Sequence, residues 1–257
     1  MSATAERGPR GPFDGVLQIV RYNWSLYLAA IMAAAAVVVL DVVLHPSPVV
    51  AELLIAGALV GVFWLATSLA VSYYVYDLSS LYRWQWIRDL LESRPQRLVN
   101  VHAGLDETSE ALRRLYPDGA LTILDIYDRD EMPEPSIARA RAEAGATAGA
   151  IRADFRKLPL SSGSADAVFT IFAAHELRRA AAKEAFFREA WRVLEPGGRL
   201  LLVEHLRDPW NLAAFGPGAF HFFSRREWLR VASATGFELV GEISRTVFVR
   251  AFVFRRR

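Results

Sequence analysis

The chain has 257 residues, enough for one α/β domain with its own core plus an additional segment. It contains no cysteine, which excludes disulfides, Cys-ligated zinc and thiol nucleophiles. A formal net charge of +2 gives no basis for a nucleic-acid partner, and 53% hydrophobic beside 23% charged residues points to an apolar segment joined to an ordinary globular part.

Residues 1–21 form a short lead-in carrying Arg7, Arg10 and Arg21. Residues 22–40 and 53–76 then hold no charged side chain. Each run is near the ~20 residues needed to cross a ~30 Å hydrocarbon layer. DVVLHPSPVVAE, between them, reads as a tight turn outside the bilayer. No small-residue cleavage site follows the first run, so it does not read as a signal peptide. Arginines precede the first run, and Arg83, Arg88, Arg94 and Arg97 follow the second, while the connecting loop has no Lys or Arg. The positive-inside rule predicts a hairpin in the cytoplasmic (inner) membrane, with both chain ends in the cytoplasm. Tyr22, Trp24 and Tyr27 at one end, and Tyr73, Tyr74, Tyr76, Tyr82, Trp84 and Trp86 at the other, resemble interfacial aromatic belts. The competing reading is a buried helical hairpin in a soluble protein, which would leave the membrane fraction on alkaline carbonate extraction.

Residues 77–96 read as a linker or interfacial helix, and residues 97–257 as one domain in which strands alternate with helices. The expected order is strand 97–103, helix 107–117, strand 121–128, helix 135–145, a short strand within 150–159, a buried strand within 164–177, helix 183–198, strand 199–206, helix 224–237 and two terminal strands. This alternation predicts a doubly wound, mainly parallel sheet with an antiparallel hairpin at one edge. Ligands in such sheets bind beyond the carboxyl ends of the strands. That directs attention to residues 102–106, 125–128, 154–155, 175–176 and 204–205.

Two blocks carry a family resemblance. FFREAWRVLEPGGRLLLVEH (186–205) has the helix, the R-x-L-x-P-G-G turn and the strand of class I S-adenosylmethionine-dependent methyltransferases, in the branch of the quinone-biosynthesis C-methyltransferases. ADFRKLPLSSGSADAVFTIFAAHEL (153–177) resembles the preceding block of the same branch. The resemblance implies a Rossmann-like seven-stranded fold and S-adenosyl-L-methionine as cofactor. It implies that Asp125 binds the ribose hydroxyls, Asp154 the adenine amino group, with Phe155 beside it, and that Ile126 packs near the adenine. Asp125 and Asp154 otherwise read as capping or loop acids.

VNVHAGLDETSEAL (99–112) departs from the family's D-x-G-x-G-x-G loop. Asn100, His102, Gly104 and Asp106 fall on its marked positions, and one glycine remains. Glycine serves there because a tight turn and close backbone approach leave no room for a Cβ. His102 and Asp106 therefore either contact the cofactor in an altered way or close the pocket. YDRDEMPEPSI (127–137) is a longer, more acidic turn, read as solvated, and no metal site is expected from the sequence.

Methyl transfer to a hydroxyl or carbon acid needs a base, and histidine is the natural one near neutral pH. His175 and His205, at the ends of the fourth and fifth strands, are the catalytic candidates, with Glu176 or Glu204 as orienters. His221 lies in GPGAFHFFSRREW, a segment placed like the family's substrate cover. A membrane tether makes lipid-like or other small-molecule acceptors, and a membrane-protein partner, part of the expectation. The competing function is a non-catalytic, membrane-tethered binding module on the same fold, with cofactor binding altered or lost.

Overall fold

The computed structural model describes residues 11–91 and 94–257, so Arg7 and Arg10 of the orientation argument lie outside the described residues. Helix α1 (Asp14–Tyr22) leads into α2 (Trp24–Leu44) and α3 (Pro48–Tyr73). The helices α2 and α3 are long and apolar enough to cross a membrane, and no residue of their apolar windows is buried within the protein. The expected turn is shorter than the sequence suggests. Helix α2 runs on through Asp41 to Leu44, and three residues, His45 to Ser47, reverse the chain, with His45 in the left-handed region and Pro48 opening α3. Proline suits that first position because its missing N–H would be unpaired there anyway.

The domain is a seven-stranded sheet in the order β3-β2-β1-β4-β5-β7-β6. Its strands are β1 (Arg97–His102), β2 (Ala120–Asp125), β3 (Ala150–Arg152), β4 (Ala165–Ile171), β5 (Leu194–His205), β6 (Phe237–Thr246) and β7 (Val249–Arg256). The first five pair in parallel, and β7 inserts antiparallel between β5 and β6. The sheet is therefore mixed, with the expected terminal hairpin at one edge. Helices α4 (Trp86–Leu90), α5 (Ser109–Leu115), α6 (Pro135–Ala144), α7 (Ala180–Val193), α8 (Pro209–Phe215) and α9 (Arg225–Ala234) complete the fold. Helix α7 stops five residues before Gly198 because Pro196 cannot continue it, and β5 begins at Leu194 ahead of a turn in which Gly197 takes φ +82°.

The period-two alternation of the strands assigns neighbours to opposite faces. Val99, Leu200, Leu202, Phe252 and Phe254 join one core with Phe186, Phe187 and Trp228 of α7 and α9. Leu98, Phe169, Leu201, Val203 and Val253 join the other. That second face is covered by α5 and by the segment read as a linker. Leu81, Trp84, Trp86, Ile87 and Leu91 are all buried there, and Trp86 donates Nε1–H to the Leu81 carbonyl at 2.9 Å. Trp84 and Trp86 thus complete a core instead of marking a membrane interface. Without them one face of a sheet buried on both sides would lie open.

Candidate active site

The carboxyl ends of β1 to β5 form one edge, divided between two halves. The first lies at β1, β2 and β3. His102 ends β1 and is 4% exposed; its Nδ1 accepts the Gly104 N–H at 3.4 Å, and its Nε2 is buried with no hydrogen-bond partner among the described residues. Burial lowers its pKa, against the opposing charges of Asp106 and Asp125. Gly104 has φ +118°, and a Cβ there would come within 2.8 Å of the Arg141 side chain. Asp106 turns toward its own chain: Oδ1 accepts from Thr108 N at 3.0 Å and Ser109 N at 2.9 Å, opening α5. Asn100 donates to Asp106, Thr108 and Ser109, which fixes the loop from below.

Asp125 ends β2. Arg141, from α6, holds it through two bonds of 2.9 and 2.7 Å, and the guanidinium also lies over the Tyr127 ring. Ile126 and Phe155 are fully buried. Asp154, after β3, is more than half exposed and accepts from Arg156 N at 2.8 Å; Arg156 stacks on Phe155 and pairs with Asp128 and Glu131. The acidic turn is therefore neutralised largely by its neighbours, with Arg179 also on Glu131.

The second half lies at β4 and β5. Phe172 takes φ +52° immediately after β4 and turns the chain so that residues 174–176 fold across the end of β5. His175 Nδ1 meets Glu204 at 2.7 Å, and its Nε2 lies 3.3 Å from Glu176. Burial opposes charge on His175, but Glu204 and Glu176 overcome it and push the pKa up to about 10. His221, in the 3₁₀ turn Gly216–His221, packs edge-on to His175 with ring centroids 5.2 Å apart. Burial and the charge on His175 push His221 down to about 4. Arg178 donates to the backbone carbonyls of both His175 and His221, tying the turn to the end of β4.

His205 stands apart from this cluster. Its Nδ1 bonds the Phe248 carbonyl at 2.9 Å, so Nδ1 carries the proton and Nε2 accepts from the Tyr76 hydroxyl at 2.8 Å. Phe172 and Phe222 stack on its two sides, and burial pushes its pKa down to about 4. The structure thus brings His175 together with Glu176, Glu204 and His221, and places His205 as a neutral post beneath the segment that leaves α3.

Residues 103–202 match the family described as "Methyltransferase domain". This segment is a methyltransferase domain. Solved structures that share its fold include S-adenosylmethionine-dependent methyltransferases. The chain is 33% identical over 127 residues to a demethylmenaquinone methyltransferase of Thermus thermophilus, covering 49% of this chain and 54% of that protein. It is 30% identical over 166 residues to a malonyl-[acyl-carrier protein] O-methyltransferase of Hahella chejuensis, covering 62% and 56%. The chain spans about half the length of these curated relatives. A solved S-adenosylmethionine-dependent methyltransferase from Aquifex aeolicus shares the fold at TM-score 0.51 and 15% identity, over 68% of this chain and 92% of that one.

The fixed parts of the methyltransferase domain suit S-adenosylmethionine. An acid ends β2, apolar side chains follow both β2 and β3, and an unpartnered imidazole nitrogen lies beside Gly104, whose positive φ a side chain would strain. The exception is Arg141, which occupies the Asp125 carboxylate. Its side chain is partly exposed, and the pair must open before the carboxylate can take ribose hydroxyls. Sequence reasoning missed Arg141 because nothing in a helix sequence tells which strand end a long side chain will reach. It also missed α8, although Asp208-Pro209 is a standard opening: the Asp208 carboxylate accepts Asn211 N–H at 2.9 Å.

Proposed function

We propose that the protein is a membrane-anchored S-adenosylmethionine-dependent methyltransferase acting on a lipid-soluble acceptor, held by the α2–α3 hairpin with both ends of the chain on the cytoplasmic side. The observation that carries the acceptor class is the seating of the covering segment on α3. Thr67 Oγ1 donates to the Ala214 carbonyl at 2.9 Å, and a Cβ on Gly216 would lie 2.4 Å from the Trp64 ring. Trp210 and Phe220 stay 63% and 62% exposed on the same segment. The acceptor cover therefore leans on an apolar helix and offers aromatic side chains to its surroundings, as interfacial segments do.

When bound, S-adenosylmethionine supplies a methyl group on a sulfonium, ready for in-line displacement. Asp125, once released by Arg141, would accept the ribose hydroxyls, and Ile126 and Phe155 would back the adenine, with Asp154 at its rim and Arg156 displaced from the Phe155 face. His102 and Gly104 flank the methionine end. His175, cationic between two carboxylates, attracts an anionic oxygen of the acceptor and orients it. The cytoplasmic segment around α1 closes the edge: the Asp77 carboxylate accepts the Gly15 and Val16 N–H groups at 2.7 and 2.8 Å, and Arg139 of α6 bonds the Tyr22 carbonyl at 2.6 Å.

The test is calorimetric titration of the full-length protein, in detergent, with S-adenosylmethionine and S-adenosylhomocysteine. Saturable binding that disappears in Asp125→Ala supports the reading; no binding at millimolar ligand overturns it. One observation favours the second reading, a tethered binding module without the cofactor: the Arg141–Asp125 pair already satisfies the carboxylate that the ribose would need. The same titration separates the two.

A further inference from the structure

The cluster at the ends of β4 and β5 has the make-up of a metal centre. His175, Glu176 and His221 each offer a ligand atom, and these atoms all lie within 4.8 Å of one another. In a tetrahedral shell with bonds of ~2.0–2.1 Å, ligand atoms sit roughly 3.3 Å apart. His175 Nε2 and Glu176 Oε1 already stand at 3.3 Å.

Three further features mark the cluster as built. The other ring nitrogen of His175 is held at 2.7 Å by Glu204, whose side chain is 1% exposed, and Glu204 also accepts the His175 backbone N–H at 3.2 Å. A carboxylate behind a histidine is the usual support for a metal-bound imidazole: it fixes ring orientation and tautomer and makes the free nitrogen a better ligand. Glu176 Oε2 is buried with no hydrogen-bond partner among the described residues, although a buried carboxylate oxygen is costly to leave bare. Phe172 holds a left-handed backbone conformation, unfavourable for a bulky residue, and that turn is what brings residues 174–176 against β5.

From this geometry we infer that His175, Glu176 and His221 bind one divalent first-row metal ion, with Glu204 orienting His175 from behind. Two imidazoles and one carboxylate suit zinc, with the ion displacing the proton from His175 Nε2 while Nδ1–H stays bonded to Glu204, and three protein ligands leave a position for water or for an oxygen of the acceptor. Glu134 lies 3.6 Å from His221 Nδ1, within ion-pair range of the third ligand. The site is independent of the methyl-donor half, so metal binding and S-adenosylmethionine binding succeed or fail separately.

The experiment uses untagged full-length protein in detergent, stripped with chelator and titrated with Co²⁺. The expected result is one equivalent bound with the visible absorption of Co²⁺ in a low-symmetry site, displaced by Zn²⁺. Glu204→Gln should weaken binding by about 10–100-fold. His221→Ala and Glu176→Gln should each lose the saturable site, and His45→Ala, in the turn between the apolar helices, should keep it. Thermal melts of each variant check that it is folded, and Glu176→Gln, which keeps the side-chain shape, stands in if His221→Ala is not. Absence of saturable Co²⁺ and Zn²⁺ binding to the stripped protein overturns the inference, as does equal affinity in the folded ligand variants.

Discussion

The two halves of the strand-end edge treat their charges in opposite ways. In the donor half, each acid expected to meet the cofactor has a partner from its own chain: Asp106 the start of α5, Asp125 the Arg141 guanidinium, Asp154 the Arg156 backbone and side chain. In the acceptor half, two carboxylates surround one imidazole beside the His221 ring, and a carboxylate oxygen stays unpaired. The first arrangement is relaxed and must rearrange to work. The second holds unspent polar capacity in place, at the expense of stability. A site can therefore be easiest to recognise where it is least prepared, because the family's familiar positions lie in the half that has closed on itself.

The largest expected effect breaks the acceptor half. Glu204→Ala removes one of the two carboxylates that hold a buried imidazolium and leaves it Glu176 alone, which should cost up to about 3–5 kcal/mol in global stability. Denaturant unfolding of the detergent-solubilised protein measures it; a loss under 1 kcal/mol would mean that the pair is not formed. Next comes the donor half. If Arg141 competes with the ribose for Asp125, Arg141→Ala should tighten S-adenosylmethionine binding by about fivefold, corresponding to the ~1 kcal/mol of a partly exposed ion pair. Weaker binding in calorimetry would show instead that Arg141 serves the ligand, and the contrast between the halves would dissolve.

Much of this was legible in the sequence, and the rest was hidden for identifiable reasons. Strand alternation and the Pro196-Gly197-Gly198 turn were enough for the sheet, because period-two burial is a local signal. The same signals placed His175, Glu176 and Glu204 at strand ends. The role of Trp84 and Trp86 was not legible, since aromatic residues after an apolar run suit a membrane interface and a sheet face equally, and only the topology shows that a face needed covering. Nor could the sequence bring His221 to His175, 46 positions earlier; that meeting depends on Arg178 bonding both backbones.

Another effect, on stability and not on binding, tests how the acceptor half is joined to the apolar hairpin. Gly216 has φ +52° and faces Trp64 so closely that a Cβ would lie 2.4 Å from the ring. Gly216→Ala should therefore cost about 1–3 kcal/mol, through backbone strain and displacement of α8 from α3. Protease cleavage within residues 207–223 should rise while the sheet stays intact. Unchanged cleavage would separate the cover from α3 and remove the argument for a lipid-soluble acceptor.

The smallest effect returns to the donor half, through His102. Its pKa is lowered by burial, so the native state holds it neutral while the unfolded chain takes up a proton near the ordinary value of about 6.5. Below that value the unfolded state binds more protons than the native state, and stability falls with pH until the lowered native pKa is passed. Above it, His102 contributes no pH dependence. His102→Phe keeps an apolar-compatible ring and removes the titration, so the thermal midpoint of this variant should decline less than that of the wild type between pH 7.5 and 5.5. The buried His205 and His221 titrate in both proteins, so the difference between the two curves isolates His102. Saturating S-adenosylmethionine should then separate the two roles open to this side chain. If the Nε2 atom meets the ligand, the wild type gains more from it than His102→Phe does; if His102 closes the pocket, the two gain alike, and His102→Gly gains most.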